Sequence, residues 1–330
     1  MKTPVLLAVA LLASTLTTHA VELLNASYDV TREFYTNYNA LFARHWKEKT
    51  GQDILINQSH GGSSKQARTI LDGLEADVAT MNQETDIDIL ARAGLLPADW
   101  RSLLPDNSAP YTTAVVFLVR KGNPKNIRDW GDLARDGVAV VVPNPKTSGN
   151  GRYGYLSAWA WAAREFQNDD TRIRDFISRL FKNVPVLDTG GRAATTTFTQ
   201  KGIGDVLVTF ESETLQIARV IDPENFEVVH PTLSIAADAP VAVVWKNTER
   251  RGTTAAATEY LAHLWSPEAQ HLASKHFFRP RRVNKVDQKS NLFSKIELLS
   301  IDQAHGGWDL AQKAHFDDGG TFDQIYAPSR

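Results

Sequence analysis

Three short stretches set glycine beside hydroxyl residues. They are Gln58-Ser59-His60-Gly61-Gly62-Ser63-Ser64-Lys65-Gln66, Lys146-Thr147-Ser148-Gly149-Asn150-Gly151-Arg152, and Asp188-Thr189-Gly190-Gly191-Arg192-Ala193. Each lies between an apolar run and an apolar-periodic segment, so each reads as a strand-to-helix loop. Glycine lets the backbone come close to a ligand, and the first N–H groups of a helix have no partner inside it. Together with the helix dipole, such a loop is a ready anion site. The chemistry on offer is the holding of an anion by neutral donors, with no bond made or broken. Ser63 to Gln66 also fits S-x-x-Q, which predicts a capping box.

The second loop carries a competing signal. Gly149-Asn150-Gly151-Arg152-Tyr153-Gly154 fits G-x-G-x-x-G, and Asp169-Asp170 follow about 20 residues on, as a dinucleotide fingerprint asks. Its context is wrong. Pro143 to Ser148, with two prolines, separate the apolar run from the first glycine, and the acids sit in a polar link between two helical patterns. Signatures for a nucleophile elbow, a zinc helix, a Walker loop and an EF-hand are absent. His60 beside Ser63 and Lys65 offers a hydroxyl nucleophile with a base, which keeps a periplasmic hydrolase as the alternative of another class. Ser63 is already explained as a cap, however, and His60 as a structural hydrogen-bonder. His263, His271 and His276 fall on one predicted helix at offsets that share no common turn, and read as ordinary helical histidines. No enzyme activity, cofactor or metal is expected.

The elements that must position these loops alternate. Strands are predicted at Val21–Ala26, Ile54–Asn57, Asp77–Thr80, 184–187, Asp205–Phe210 and Val241–Trp245. Helices are predicted at Arg32–Lys49, Lys65–Leu74, Ile87–Ala93, 153–166, 171–182, 193–201 and, as one long element, 253–275. The continuous apolar runs Val115–Val119 and Val138–Val142 are typical of buried parallel strands. This alternation implies an α/β fold with helices on both sheet faces, whose ligands bind at the carboxyl ends of strands. The last 30 residues are polar and are expected to wrap the surface.

The chain opens MKTPVLLAVALLASTLTTHA, with a positive n-region, an eight-residue apolar core and a Thr18-His19-Ala20 cleavage site. This predicts a secretory signal removed after Ala20; the apolar core is too short for a helix spanning a bilayer, which needs about 20 residues. The remaining 310 of 330 residues suffice for two domains. With no cysteine, disulfides, thiolate metal sites and cysteine nucleophiles are excluded. Met81 carries the only sulfur beyond the predicted leader, as suits synthesis under sulfur scarcity. Lys+Arg 36 against Asp+Glu 38, without a basic block, excludes nucleic acid as a partner.

At these loops the sequence resembles the sulfate and thiosulfate receptors of ABC importers, a group of periplasmic binding proteins. The likeness runs in order through LLNASYDVTRE, QSHGGSSKQ, LPDNSAPYT, FLVRKGNPKNIRDW, PNPKTSGNGRY, LDTGGRAATTTF, GIGDVLVTFESE and GGTFDQI. It implies a two-lobed type II periplasmic binding protein: lobe 1 from residues 21–116 plus 240–300, lobe 2 from 117–239, and a tail from 301–330. Each lobe is a mixed, mostly parallel sheet flanked by helices, and the lobes close on one desolvated dianion. The resemblance implies ligand contact at Ser63, Ser148, Gly149, Asn150, Gly191 and Phe210, mostly through backbone N–H, with the Ser148 hydroxyl as a side-chain donor. His60, Arg152, Arg192 and Asp29 are expected behind them, the arginines in salt bridges that include Asp29. The sulfate-only branch has an indole donor where this chain has Phe210, and a second glycine where it has Asn150. Both departures, with MNQETD, PADW and TTTF, match the thiosulfate branch. Implied partners are thiosulfate or sulfate and the permease and ATPase of an ABC importer, with the receptor a periplasmic monomer. Molybdate or phosphate are the rival ligands. A site of donors alone rejects phosphate, whose proton would go unpaired.

Overall fold

The computed structural model describes residues 20–282 and 292–326. The expected leader and its cleavage signal lie outside the described residues. Two sheets organise the chain. The first has the order β10-β3-β1-β2, with β1 (Val21–Tyr28) parallel to β2 (Ile54–Gly61) and β3 (Val78–Thr80), and β10 (Val241–Val243) antiparallel to β3. Helices α1 (Arg32–Thr50), α2 (Ser63–Leu71) and α3 (Glu84–Arg92) follow its parallel strands. Helical spacing puts Phe34, Tyr38 and Phe42 of α1 on one buried face. Each fully buried ring of this kind is worth roughly 1.5–3 kcal/mol of transfer free energy. Gly51 ends the helix at φ 75°, the left-handed cap that glycine adopts without strain.

After a single turn α4 (Pro105–Ser108), β4 (Tyr111–Arg120) enters the second sheet. Its path is β12-β9-β4-β7-β5-β6, with β8 and β11 also paired to β4. The members are β5 (Val140–Pro143), β6 (Leu187–Asp188), β7 (Val206–Phe210), β8 (Phe226–Val229), β9 (Leu233–Asp238), β11 (Arg279–Pro280) and β12 (Glu297–Leu299). Helices α5 (Gly149–Glu165), α6 (Asp170–Lys182), α7 (Gly191–Thr199) and α8 (Glu211–Gln216) flank it. The run Val115–Val119 is therefore not a parallel strand: β4 is antiparallel to β7, β8 and β9. A continuous apolar run reports burial on both faces, and direction depends on partners far along the chain. The run ending at Val142 does pair in parallel, with β6 and β7.

The expected long helix at 253–275 is broken. α9 (Trp245–Arg251) and α10 (Thr254–Ala262) precede a tight turn at His263–Trp265, and α11 (Pro267–Lys275) starts afresh with Ser266 as its N-cap. Pro267 takes the first helical position, where its missing N–H costs nothing. His263, His271 and His276 consequently sit in the turn, in α11 and at its C-cap. The chain's end holds α12 (Ile301–His305), α13 (Trp308–Ala311) and α14 (Thr321–Ile325). This segment does more than wrap the surface, because Trp308, Phe316 and Phe322 are buried in the main core. Glu211, fully buried at the start of α8, ties that helix to β11 through a bidentate pair with Arg279 at 2.6 and 2.9 Å. Among the described residues no helix is long and apolar enough to cross a membrane.

Candidate functional site

The start of α5 is built for exposed donors. Ser148, extended at φ −130° and ψ 125°, caps the helix by accepting from the Gly151 N–H at 3.3 Å. Its own N–H donates to Asn144 O at 2.9 Å, which leaves the hydroxyl proton as its remaining donor. Gly149 and Asn150 are the first two helical residues, so no carbonyl of the helix reaches their N–H groups. Gly151 has a reason of its own: a Cβ there would overlap Pro143 O and meet Asn144 C at 2.9 Å. At α7, Gly190 is the N-cap without a side-chain bond, which leaves the N–H groups of Gly191 and its successors open.

At α2 the expected capping box is not formed. Gly62 is the N-cap, and the Gln66 amide donates instead to Ser59 Oγ at 3.1 Å. Ser63 Oγ accepts from the Asn82 N–H at 3.1 Å. Its hydroxyl thus serves the turn after β3 rather than its own helix.

Close contacts bring the helix starts together. A Cβ on Gly149 would overlap Asn82 Oδ1 and lie 2.9 Å from Gln83 Oε1, so the start of α5 rests on the β3–α3 turn of the first sheet. A Cβ on Gly191 would lie 2.8 Å from Asn150 Nδ2, so α5 and α7 begin side by side. Asn150 Nδ2 donates to Thr209 Oγ1 at 2.7 Å, and Thr209 donates to the buried Glu213 at 2.8 Å. Burial pushes the Glu213 carboxyl up, against the Thr209 and Thr195 bonds. Phe210, 1 % exposed, ends β7 and meets Tyr153 edge-on at 5.9 Å, one turn inside α5.

The charged residues stand behind these donors. Arg152 is buried; its Nε donates to Pro145 O at 3.1 Å and its guanidinium lies 5.6 Å from the Phe316 ring. Burial lowers the Arg152 pKa, and nearby Asp86 opposes this. Asp86 is pushed up by burial, against hydrogen bonds from Ser63, Gln83 and Ser64. Arg192 pairs with Glu33 at 3.0 Å, both about half exposed. The expected salt bridges to Asp29 are not formed: Asp29 pairs at 3.4 Å with Arg32, three residues on, and Glu33 of α1 is what faces Arg192. Asp29 and His60 line a cavity of ≈ 640 Å³ with Lys65, Thr147 and Thr189, beside all three helix starts. Burial, then Arg32, pulls the His60 pKa down, which keeps the ring neutral at pH 7. The described hydrogen bonds include none between His60 and Ser63, as a nucleophile and its base would need.

Asn82, Gln83, Asp86, Thr209 and Glu213 were not anticipated as members of the site. MNQETD follows β3 directly, and that position, a strand-to-helix turn in line with the other loops, was the available signal. No group of three or more metal-ligating side chains occurs among the described residues. What converges is a set of backbone N–H and hydroxyl donors, with the neighbouring arginines engaged elsewhere. Such a set suits a desolvated anion held by dipoles.

A family model described as "Bacterial extracellular solute-binding protein" matches residues 27–279. The chain is 56% identical over 313 residues to a thiosulfate-binding protein of Pseudomonas aeruginosa, covering 94% of each. It is 50% identical over 305 residues to a sulfate-binding protein of Escherichia coli strain K12, covering 92% of this chain and 93% of that one. Among solved structures, the sulfate-binding protein SubI from Mycobacterium tuberculosis superposes with a TM-score of 0.80 at 30% identity, covering 90% of this chain and all of that one.

Proposed function

The chain belongs to the bacterial extracellular solute-binding proteins, and we propose that it is a periplasmic receptor for thiosulfate and sulfate. It would hand its anion to the permease and ATPase of an ABC importer. The observation that carries this reading is the approach of three helix starts, at Ser63, Ser148–Asn150 and Gly191, whose first N–H groups have no partner within their helices, with Arg152 and Arg192 engaged elsewhere. The names of the relatives point to the same pair of anions. The lobes in this proposal are residues 21–116 with 240–300, and 117–239. The chain passes between them within β4, between β9 and β10, and again at β11, which pairs with β4 of the second sheet.

Thiosulfate is the preferred ligand in this reading. Phe210 offers no N–H, so a sulfate oxygen placed toward it gains nothing, whereas a soft sulfur packs well against an aromatic edge. No catalytic step is assigned: His60 is neutral and Ser63 is committed to Asn82. A thermal-shift screen of thiosulfate, sulfate, molybdate and hydrogen phosphate tests the reading. Thiosulfate and sulfate are expected to raise Tm, thiosulfate more, with phosphate silent. A shift from phosphate or molybdate alone would overturn it.

A further inference from the structure

Two buried carboxamides sit against the start of α5 without full partners among the described residues. Asn82 and Gln83 are 7 % and 0 % exposed, yet Asn82 Oδ1 and Gln83 Oε1 accept no hydrogen bond. Both oxygens face the same spot, the space that a Cβ on Gly149 would fill at the start of α5. Buried unpaired acceptors destabilise a fold, and two facing one point repel each other as well.

One of the two is free to resolve this. Gln83 Nε2 is held by Ser64 Oγ at 3.3 Å, and a Gln83 bond also pulls against the upward shift of Asp86, so its oxygen is the end that faces Gly149. Among the described residues the Asn82 side chain has no hydrogen-bond partner, while its backbone N–H is committed to Ser63 Oγ. A half-turn of its terminal torsion exchanges oxygen for NH2, a difference that heavy-atom positions do not distinguish. Turned so, one N–H of Asn82 points to Gln83 Oε1 and the second points into the cleft beside Gly149.

We propose that the Asn82 carboxamide is an anion donor, fixed by Gln83, that completes from the first sheet the donor set offered by α5 and α7. The proposal rests on the sulfur-oxyanion reading of the cleft and adds a determinant of preference. An N–H bonds a charged oxygen more strongly than a sulfur, a poor acceptor. Asn82 therefore favours sulfate, against the effect of Phe210, and accounts for a receptor that takes both anions.

The test is calorimetric titration of wild type, Asn82→Ala and Asn82→Asp with sodium sulfate and sodium thiosulfate. Asn82→Ala is expected to weaken sulfate about 10- to 100-fold, as for a lost bond to a charged group, and thiosulfate several-fold less. Asn82→Asp keeps the shape, replaces the donor by a negative charge, and is expected to abolish both. In 15N-labelled wild type, the Asn82 side-chain NH2 resonances are expected to shift on adding either salt, which needs no variant to fold. Unmoved resonances, or an equal loss for both anions, would overturn the assignment and leave the receptor reading standing. A wild type that binds neither anion would sink both.

Discussion

Ser148 has two separable tasks, and substitutions at it can take them apart. Its Oγ caps α5 through Gly151 N–H, and its hydroxyl proton remains to donate, whereas the neighbouring Asn150 Nδ2 is taken by Thr209. Ser148→Ala loses both. The lost cap costs about 1 kcal/mol, which for a chain of this size lowers Tm by about 2–4 °C. The lost bond to a charged ligand costs about 1.5–3 kcal/mol, or about 10- to 150-fold in Kd. Ser148→Asp separates the effects. Aspartate caps as well as serine and suits the helix dipole, so stability without ligand should match wild type. Its charge faces a dianion, however, at about 4 kcal/mol per unit pair for 4 Å and an effective dielectric of 20. Thermal melts without ligand and calorimetry with thiosulfate read the two columns independently. The expected pattern is Ala weakened in both, and Asp normal in the melt but silent in the titration. If Ser148→Asp binds thiosulfate within tenfold of wild type, the start of α5 is not the anion site.

Three further outcomes follow from the same geometry. Gly149→Ala leaves an ordinary helical backbone but puts a methyl against Asn82 and Gln83; this packing should lose the overpacking cost of about 1–3 kcal/mol, read as a lower Tm without ligand and as a weaker thiosulfate affinity in calorimetry. Arg279→Met leaves the fully buried Glu211 carboxylate with His230 alone, at 3.5 Å, and should destabilise by up to about 3–5 kcal/mol in chemical denaturation. Burial raises the Glu211 pKa, but the His230 and Arg279 bonds outweigh it and the net shift is downward; the pair's stability is therefore present above about pH 4.5 and lost as pH falls through the lower folded value, and that acid-side loss should be smaller in the variant, which keeps His230 alone. Arg192→Gln removes a half-exposed pair with Glu33, worth less than about 1 kcal/mol in water, so affinity should stay within about threefold.

The parts of the site legible in the sequence are those with a local cause. Glycine beside serine after an apolar run marks a helix start wherever the run ends up, and α5 and α7 do begin at Gly149 and Gly191. The break before Pro267 had an equally local cause, serine then proline, but the apolar pattern on either side masked it. Pairing partners were not legible: the apolar residues of β4 look alike whether the neighbour is parallel or antiparallel. Nor was Asn82. Its importance arises because β3 carries it opposite Gly149, a residue 67 positions away by numbering, and only the packed sheets create that contact. Gly151 is an instructive middle case, since a glycine that looked like part of a nucleotide fingerprint is required by Pro143 O.

Calorimetric titration of the purified protein at pH 7 with sodium thiosulfate, then sulfate, then phosphate, tests the central claim most directly. One anion per chain is expected, with saturable binding of thiosulfate and of sulfate, thiosulfate the tighter, and no heat from phosphate. No binding of either sulfur oxyanion at millimolar concentration, or binding of phosphate in their place, would contradict it.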